Sequence, residues 1–100
     1  MEKRKPHYDL DAIKATFAKV EALRMTRTAQ DCAFRIGMPL QSVVDVIQSM
    51  TREQFYKSMT SQANRAVWQD VYHAPWHGIV LYLKFTTDAQ GYLVISLKEK

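Results

Sequence analysis

The chain has 100 residues, with 14 Lys and Arg against 10 Asp and Glu and a formal charge of +4. That length predicts one hydrophobic core over residues 1–100 rather than two, and a hydrophobic share of 47% with three Gly and three Pro excludes a disordered, collagen-like or linker chain. The positive balance suits an anionic partner without identifying one.

Met1 to Lys5 is basic, but Pro6-His7-Tyr8-Asp9 stands where the apolar part of a signal peptide would begin, and no run approaches the roughly 18 apolar residues of a membrane span. The reading is a cytoplasmic protein with no membrane contact. Leu10, Ile13, Phe17 and Val20 then recur at steps of three and four, with Asp9 as N-cap, and predict a first amphipathic helix reaching Ala22. Leu23 to Arg27 alternates apolar with polar and predicts one short strand. Thr28 caps a second helix carrying Ala29, Cys32, Ala33 and Ile36, stopped by Gly37, and a third helix after Met38-Pro39 carries Leu40, Val43, Val44 and Ile47. The single cysteine, Cys32, falls on the apolar face of its helix, which predicts a buried thiol without a chemical role.

From Phe55 onward the period shifts towards two, the mark of strands with one buried face. Ile79, Leu81, Leu83 and Phe85 alternate with Val80, Tyr82, Lys84 and Thr86, and Leu93, Ile95 and Leu97 alternate with Tyr92, Val94, Ser96 and Lys98. The fold class is therefore α+β, an antiparallel sheet packed on one face by short N-terminal helices. Tyr82, Lys84, Ser96 and Lys98 are left on the open face. A five-residue loop from Thr87 to Gly91 sets Thr86 opposite Tyr92, Lys84 opposite Val94 and Tyr82 opposite Ser96, with Lys98 diagonal to Tyr82. A preceding strand from Val67 to His73, followed by a four-residue loop Ala74 to His77, sets His73 opposite Gly78 and Gln69 opposite Tyr82. Trp68 and Tyr72 then turn inward. Gln69, Tyr82 and Lys98 form one patch, which Lys57 completes from a strand Phe55 to Thr60.

The acidic residues are scattered, with no spacing typical of a metal nuclease. His73 and His77 are four apart, but Pro75 and Gly78 oppose a helix there, so no metal site and no cofactor are expected. No Gly-rich phosphate loop or nucleophile elbow occurs. Lys, Tyr and Gln side chains over a sheet suit one reaction of RNA that needs no metal, in which the ribose 2′-OH attacks its own 3′-phosphate. The protein aligns the attack, stabilises phosphate charge and protonates the leaving oxygen. Two other readings share these residues: a non-catalytic RNA-binding module that stacks bases on Tyr56, Tyr82 and Tyr92, and a protein-interaction domain without nucleic acid.

The opening Met1-Glu2-Lys3-Arg4-Lys5-Pro6-His7, the segments Phe55-Tyr56-Lys57-Ser58-Met59-Thr60 and Trp68-Gln69-Asp70-Val71-Tyr72, the triplet Tyr82-Leu83-Lys84 and the ending Ser96-Leu97-Lys98-Glu99-Lys100 together resemble the MqsR toxins, in order and at that family's spacing. The resemblance implies a type II toxin of RelE-like fold that cleaves messenger RNA, with a preference for GC-starting triplets such as GCU. It implies catalytic roles for Lys57, Gln69, Tyr82 and Lys98; beside them on the basic face, Tyr56 and Lys84 are expected to touch RNA. It also implies an MqsA-like antitoxin that binds zinc through its own N-terminal domain and operator DNA through a helix-turn-helix domain. The chain departs from the family in the loop His73-Ala74-Pro75-Trp76-His77 and keeps mainly the pattern between Leu10 and Met50.

Overall fold

Alternation in the second half of the chain builds a meander, and the helical half closes over one side of it. The computed structural model describes residues 1–100. It contains strands β1 (Glu2–Lys3), β2 (Phe55–Thr60), β3 (Trp68–Trp76), β4 (Ile79–Thr87) and β5 (Leu93–Glu99), with helices α1 (Leu10–Thr16), α2 (Arg27–Arg35) and α3 (Leu40–Ser49). The strands lie side by side in the order β1-β2-β3-β4-β5, every pair antiparallel. Ile13 and Phe17, Ala29, Cys32 and Ala33 of α2, and Val43 and Ile47 of α3 pack against Tyr72, Leu81, Leu83, Phe85, Ile95 and Leu97 in one buried cluster. Each large aliphatic side chain removed from water there stabilises the fold by roughly 1.5–3 kcal/mol. The expected α+β class, the inward Leu/Ile face and the buried thiol of Cys32 all hold. No helix is long and apolar enough to cross a membrane.

Local chemistry moves several boundaries. Asp9 caps α1 as expected, accepting the Ala12 N–H at 3.1 Å. The helix stops at Thr16 rather than Ala22, because Gln48 of α3 donates its amide to the carbonyls of Lys14 (2.8 Å) and Phe17 (3.1 Å) and satisfies that end. Val20–Ala22 forms a separate 3-10 turn. The strand expected over Leu23 to Arg27 is reduced to one parallel bridge between Met25 and Ile95. Thr26 follows that bridge at once and caps α2, two residues before the expected Thr28, its hydroxyl accepting the Ala29 N–H at 3.1 Å. At the other end Gly37 takes φ +72°, and Gly37 and Met38 return their N–H groups to the carbonyls of Phe34 and Ala33 at 3.1 and 2.8 Å. This is a Schellman stop, as Gly37 suggested.

Both hairpins differ in register from the sequence expectation. Ala74, Pro75 and Trp76 belong to β3, and the turn is the two residues His77 and Gly78, both at positive φ (46° and 83°), a mirror-image turn whose twist matches the flanking strands. Pro75 is tolerated because β2 pairs with β3 only as far as Tyr72, so no neighbour on that side needs its missing N–H. His73 therefore stands opposite Tyr82, not Gly78. In the β4–β5 loop the carboxylate of Asp88 accepts the N–H groups of Gln90 (2.9 Å) and Tyr92 (3.0 Å) and moves the loop one residue later than expected. Tyr82 then faces Lys98 directly, Lys84 faces Ser96 and Thr86 faces Val94. Each side chain keeps its expected face, since both shifts are by an even number.

Candidate active site

The open face of the sheet carries a cavity of about 250 Å³. Tyr56, Lys57 and Met59 of β2 line one side, Val71 of β3 forms the floor, and Tyr82, Lys84 and Lys98 line the other side. A bulge explains why two consecutive residues of β2 serve the same face. Phe55 pairs with Tyr72 and Lys57 with Val71, leaving Tyr56 as the extra residue. Its ring stacks on His73 at 4.5 Å, and His73 meets Tyr82 edge-on at 4.7 Å.

Lys57 is 22% exposed in its side chain and donates to the Glu2 carboxylate at 2.9 Å. This hydrogen bond raises the lysine above its ordinary pKa and holds the Glu2 carboxyl below the usual range. Lys84 is shifted the other way, first by burial and then by the positive charges of Lys98 and Lys57. The Lys98 ammonium lies 5.5 Å from the centre of the Tyr82 ring and that of Lys57 lies 5.3 Å from the Tyr56 ring. The cavity is thus a positive hollow edged by aromatic rings, a form suited to a phosphate group and the bases beside it.

Lys57, Tyr82 and Lys98 come together as expected, and Tyr56 and Lys84 join them. Gln69 does not line this cavity. It shares the open face but pairs with Met59 at the far end of β3, four residues from His73, or about 13 Å along the strand. The two-residue turn puts His73, not Gln69, opposite Tyr82. Trp68 does turn to the helix side, yet it is half-buried rather than in the main core. There His7 stacks on it at 5.5 Å and the Lys3 ammonium sits 4.2 Å from its ring centre.

Sequence reasoning missed two residues at the site. His73 was hidden by the loop assignment, although His77-Gly78 ahead of an apolar alternation was a usable turn signal. Its burial lowers its pKa, with Lys100 adding to the shift, and its Nε2 is buried without a protein partner. Glu2 gave no signal, because a two-residue strand has no periodicity and its partner lies 55 positions away.

A family described as "Motility quorum-sensing regulator, toxin of MqsA" matches residues 5–99, which take in β2 to β5 and every residue named on the cavity wall. The mRNA interferase toxin MqsR of Escherichia coli (strain K12) is 36% identical over 100 residues, spanning 100% of this chain and 100% of that one. Likeness that covers the helices, the sheet and the hollow together leaves no part of the fold outside it, and the chain belongs to the MqsR toxin family.

Proposed function

We propose that the chain is the toxin of a type II toxin–antitoxin pair, an endoribonuclease that cuts messenger RNA in the cytoplasm without a metal. The observation that carries this reading is the convergence of Lys57, Lys84 and Lys98 with Tyr82 around one hollow on the open sheet face, in a chain whose relative is named an mRNA interferase. Lys57 holds the scissile phosphate. The 2′-OH attacks that phosphorus, the bond to the 5′-oxygen breaks, and a cyclic phosphate and a free 5′-hydroxyl remain. Tyr82 protonates the leaving oxygen, with the Lys98 ammonium beside its ring. Preorganised cations are worth most where charge develops in a hollow that excludes water. Gln69 orients RNA further along β3 rather than touching the phosphate.

The finer parts of the reading are a preference for GC-starting triplets such as GCU and an MqsA-like partner. That partner binds zinc in its N-terminal domain, restrains the toxin, and carries the pair to operator DNA through a helix-turn-helix domain. The two-residue strand β1 leaves a sheet edge to which such a partner can add a strand.

The test is expression of the chain in bacteria, with the 5′-ends of broken transcripts mapped. Growth arrest with ends clustered at one triplet, and purified protein that cleaves RNA in EDTA to leave cyclic or 3′-phosphate ends, supports the reading. Cleavage that stops on chelation and returns with magnesium overturns the mechanism. RNA binding without cleavage makes the chain a non-catalytic RNA-binding module.

A further inference from the structure

The reaction proposed above needs two proton transfers on opposite sides of one phosphorus. In-line displacement puts the 2′-OH and the departing 5′-oxygen on opposite faces of the phosphate, so base and acid must flank it. The hollow has two such sides. Lys57 stands on β2 and Tyr82 on β4, with Val71 of β3 as the floor between them. Two strand spacings separate the sides by roughly 10 Å, room for a phosphodiester. Tyr82 and Lys98 supply one side with a proton donor, leaving the Lys57 side in need of an acceptor.

No carboxylate lines the hollow itself; the one that reaches the Lys57 side comes from β1, the next strand outward and roughly 14 Å, three strand spacings, from the backbone of β4. Glu2 pairs with Met59, which lines the hollow, and its Oε2 lies 2.9 Å from the Lys57 ammonium. Asp70 and Glu99 sit on the opposite face, across from Phe85 and Leu81. An ammonium held by a carboxylate stays protonated, so Lys57 binds the phosphate well and removes a proton poorly. The cationic walls offset the repulsion between Glu2 and phosphate.

We propose that Glu2 is the general base of the reaction, taking the 2′-OH proton while Lys57 turns its ammonium from the carboxylate to the phosphate. The balance is complete. The ribose O–H bond breaks and its proton goes to the Glu2 carboxylate; the 2′-oxygen bonds to phosphorus; the P–O5′ bond breaks; and the 5′-oxygen takes its proton from Tyr82. The protein returns to its starting state when Glu2 gives its proton to water and Tyr82 regains one. The assignment rests on the nuclease reading of the same site. It explains why the N-terminal residues are tied to the sheet beside Lys57 instead of trailing into solvent.

The experiment is single-turnover cleavage of a 5′-labelled RNA containing GC-starting triplets, from acid to alkaline pH, by the wild-type chain and by Glu2→Gln. Affinity is measured alongside on the all-2′-deoxy counterpart, which cannot react. The Glu2 side chain is 55% exposed, and a thermal melt verifies that the variant folds. We expect the rate at saturating RNA to fall on the order of 10²–10³-fold. The acid limb, set in the wild type by a carboxylate below the ordinary glutamate range, should disappear, and the rate should climb with hydroxide concentration. Affinity for the deoxy strand should hold or tighten, since a negative charge has gone. Wild-type or faster cleavage by folded Glu2→Gln makes Glu2 a mere counterion and overturns the proposal, and so does an intact acid limb, which points to Lys84 as base. Failure of the wild-type chain to cut RNA overturns the nuclease reading along with it, whereas a cutting wild type and an unaffected variant overturn the base assignment alone.

Discussion

The buried carboxylate of Asp70 accepts the backbone N–H of Tyr8 at 2.8 Å and that of His7 at 3.0 Å, fastening the N-terminal arm across the end of β3. The Tyr8 hydroxyl adds a 2.7 Å bond to the Trp68 carbonyl. Asp70→Asn removes the charge, leaves one oxygen to accept both N–H groups and turns an NH₂ group towards the His7 N–H, and should cost roughly 2–3 kcal/mol in denaturant unfolding. The arm carries Glu2 to Lys57, so the variant should also lose cleavage beyond what its remaining folded fraction explains. Unchanged stability would mean that the arm is held by its other contacts.

How much of this was legible follows from what periodicity encodes. Alternation assigns a face to each residue, and Tyr82, Lys84, Ser96 and Lys98 fell on the expected one. It does not assign the residue opposite, which depends on turn chemistry. Pro75 read as a loop residue because its cost in a sheet is general, while its tolerance depends on β2 ending early. That single misreading exchanged Gln69 for His73 opposite Tyr82. The N-terminal arm was illegible for another reason: Asp70 reads as an ordinary strand polar residue until the amides that it binds, more than 60 positions away, are brought to it. Trp68 illustrates the same limit. Its face was legible, but its covering comes from Lys3 and His7, so Trp68→Ala should cost about 2 kcal/mol rather than the 3–5 kcal/mol of a full core cavity.

Tyr72 offers a test of the core itself. It is fully buried, packed edge-on against Phe85 and Phe55 at 5.9 and 5.4 Å, and its hydroxyl has no protein partner. Tyr72→Phe keeps the ring and removes the stranded hydroxyl, and should stabilise the fold by about 1 kcal/mol in chemical denaturation. Burial, helped by the Asp70 charge, pushes the Tyr72 phenol up to about 12. The unfolded chain loses this proton near pH 10 while the folded one keeps it, so wild-type stability should decline above about pH 10. Tyr72→Phe should flatten that decline; an equally steep alkaline loss would assign it to other groups.

His73 should act at the other end of the pH scale. Burial lowers its pKa, so the folded protein resists protonation there while the unfolded chain accepts a proton near pH 6.5. The unfolded state then binds more protons as pH falls, and stability present above about pH 6.5 is lost towards the lower folded pKa. His73→Phe retains an aromatic ring between Tyr56 and Tyr82 and should have a shallower fall in melting temperature between about pH 7 and 5. Identical slopes in the two proteins would show that the ring is not neutral in the folded state.

Binding and chemistry at the hollow separate in one set of variants, because the residues that line it differ in what the reaction asks of them. If Lys57 grips the scissile phosphate as charge builds on it and Tyr82 protonates the leaving oxygen, Lys57→Ala and Tyr82→Phe should each lower single-turnover cleavage at saturating RNA on the order of 10²–10⁴-fold. Tyr82→Phe keeps its stacking surface and should bind RNA as before. Lys84 faces Ser96 on the Tyr82 side of the hollow, and its expected role is a phosphate contact. Lys84→Ala should weaken affinity with little effect on the saturated rate and should lower the dependence of log K on log salt by about 0.7, the share of one phosphate contact on a single strand. Thermal melts, affinity at several salt concentrations and single-turnover rates on all three proteins give the three readouts. A folded Tyr82→Phe that cuts normally would move the proton donor elsewhere, and a Lys84→Ala protein that binds normally but cuts slowly would move the chemistry to Lys84.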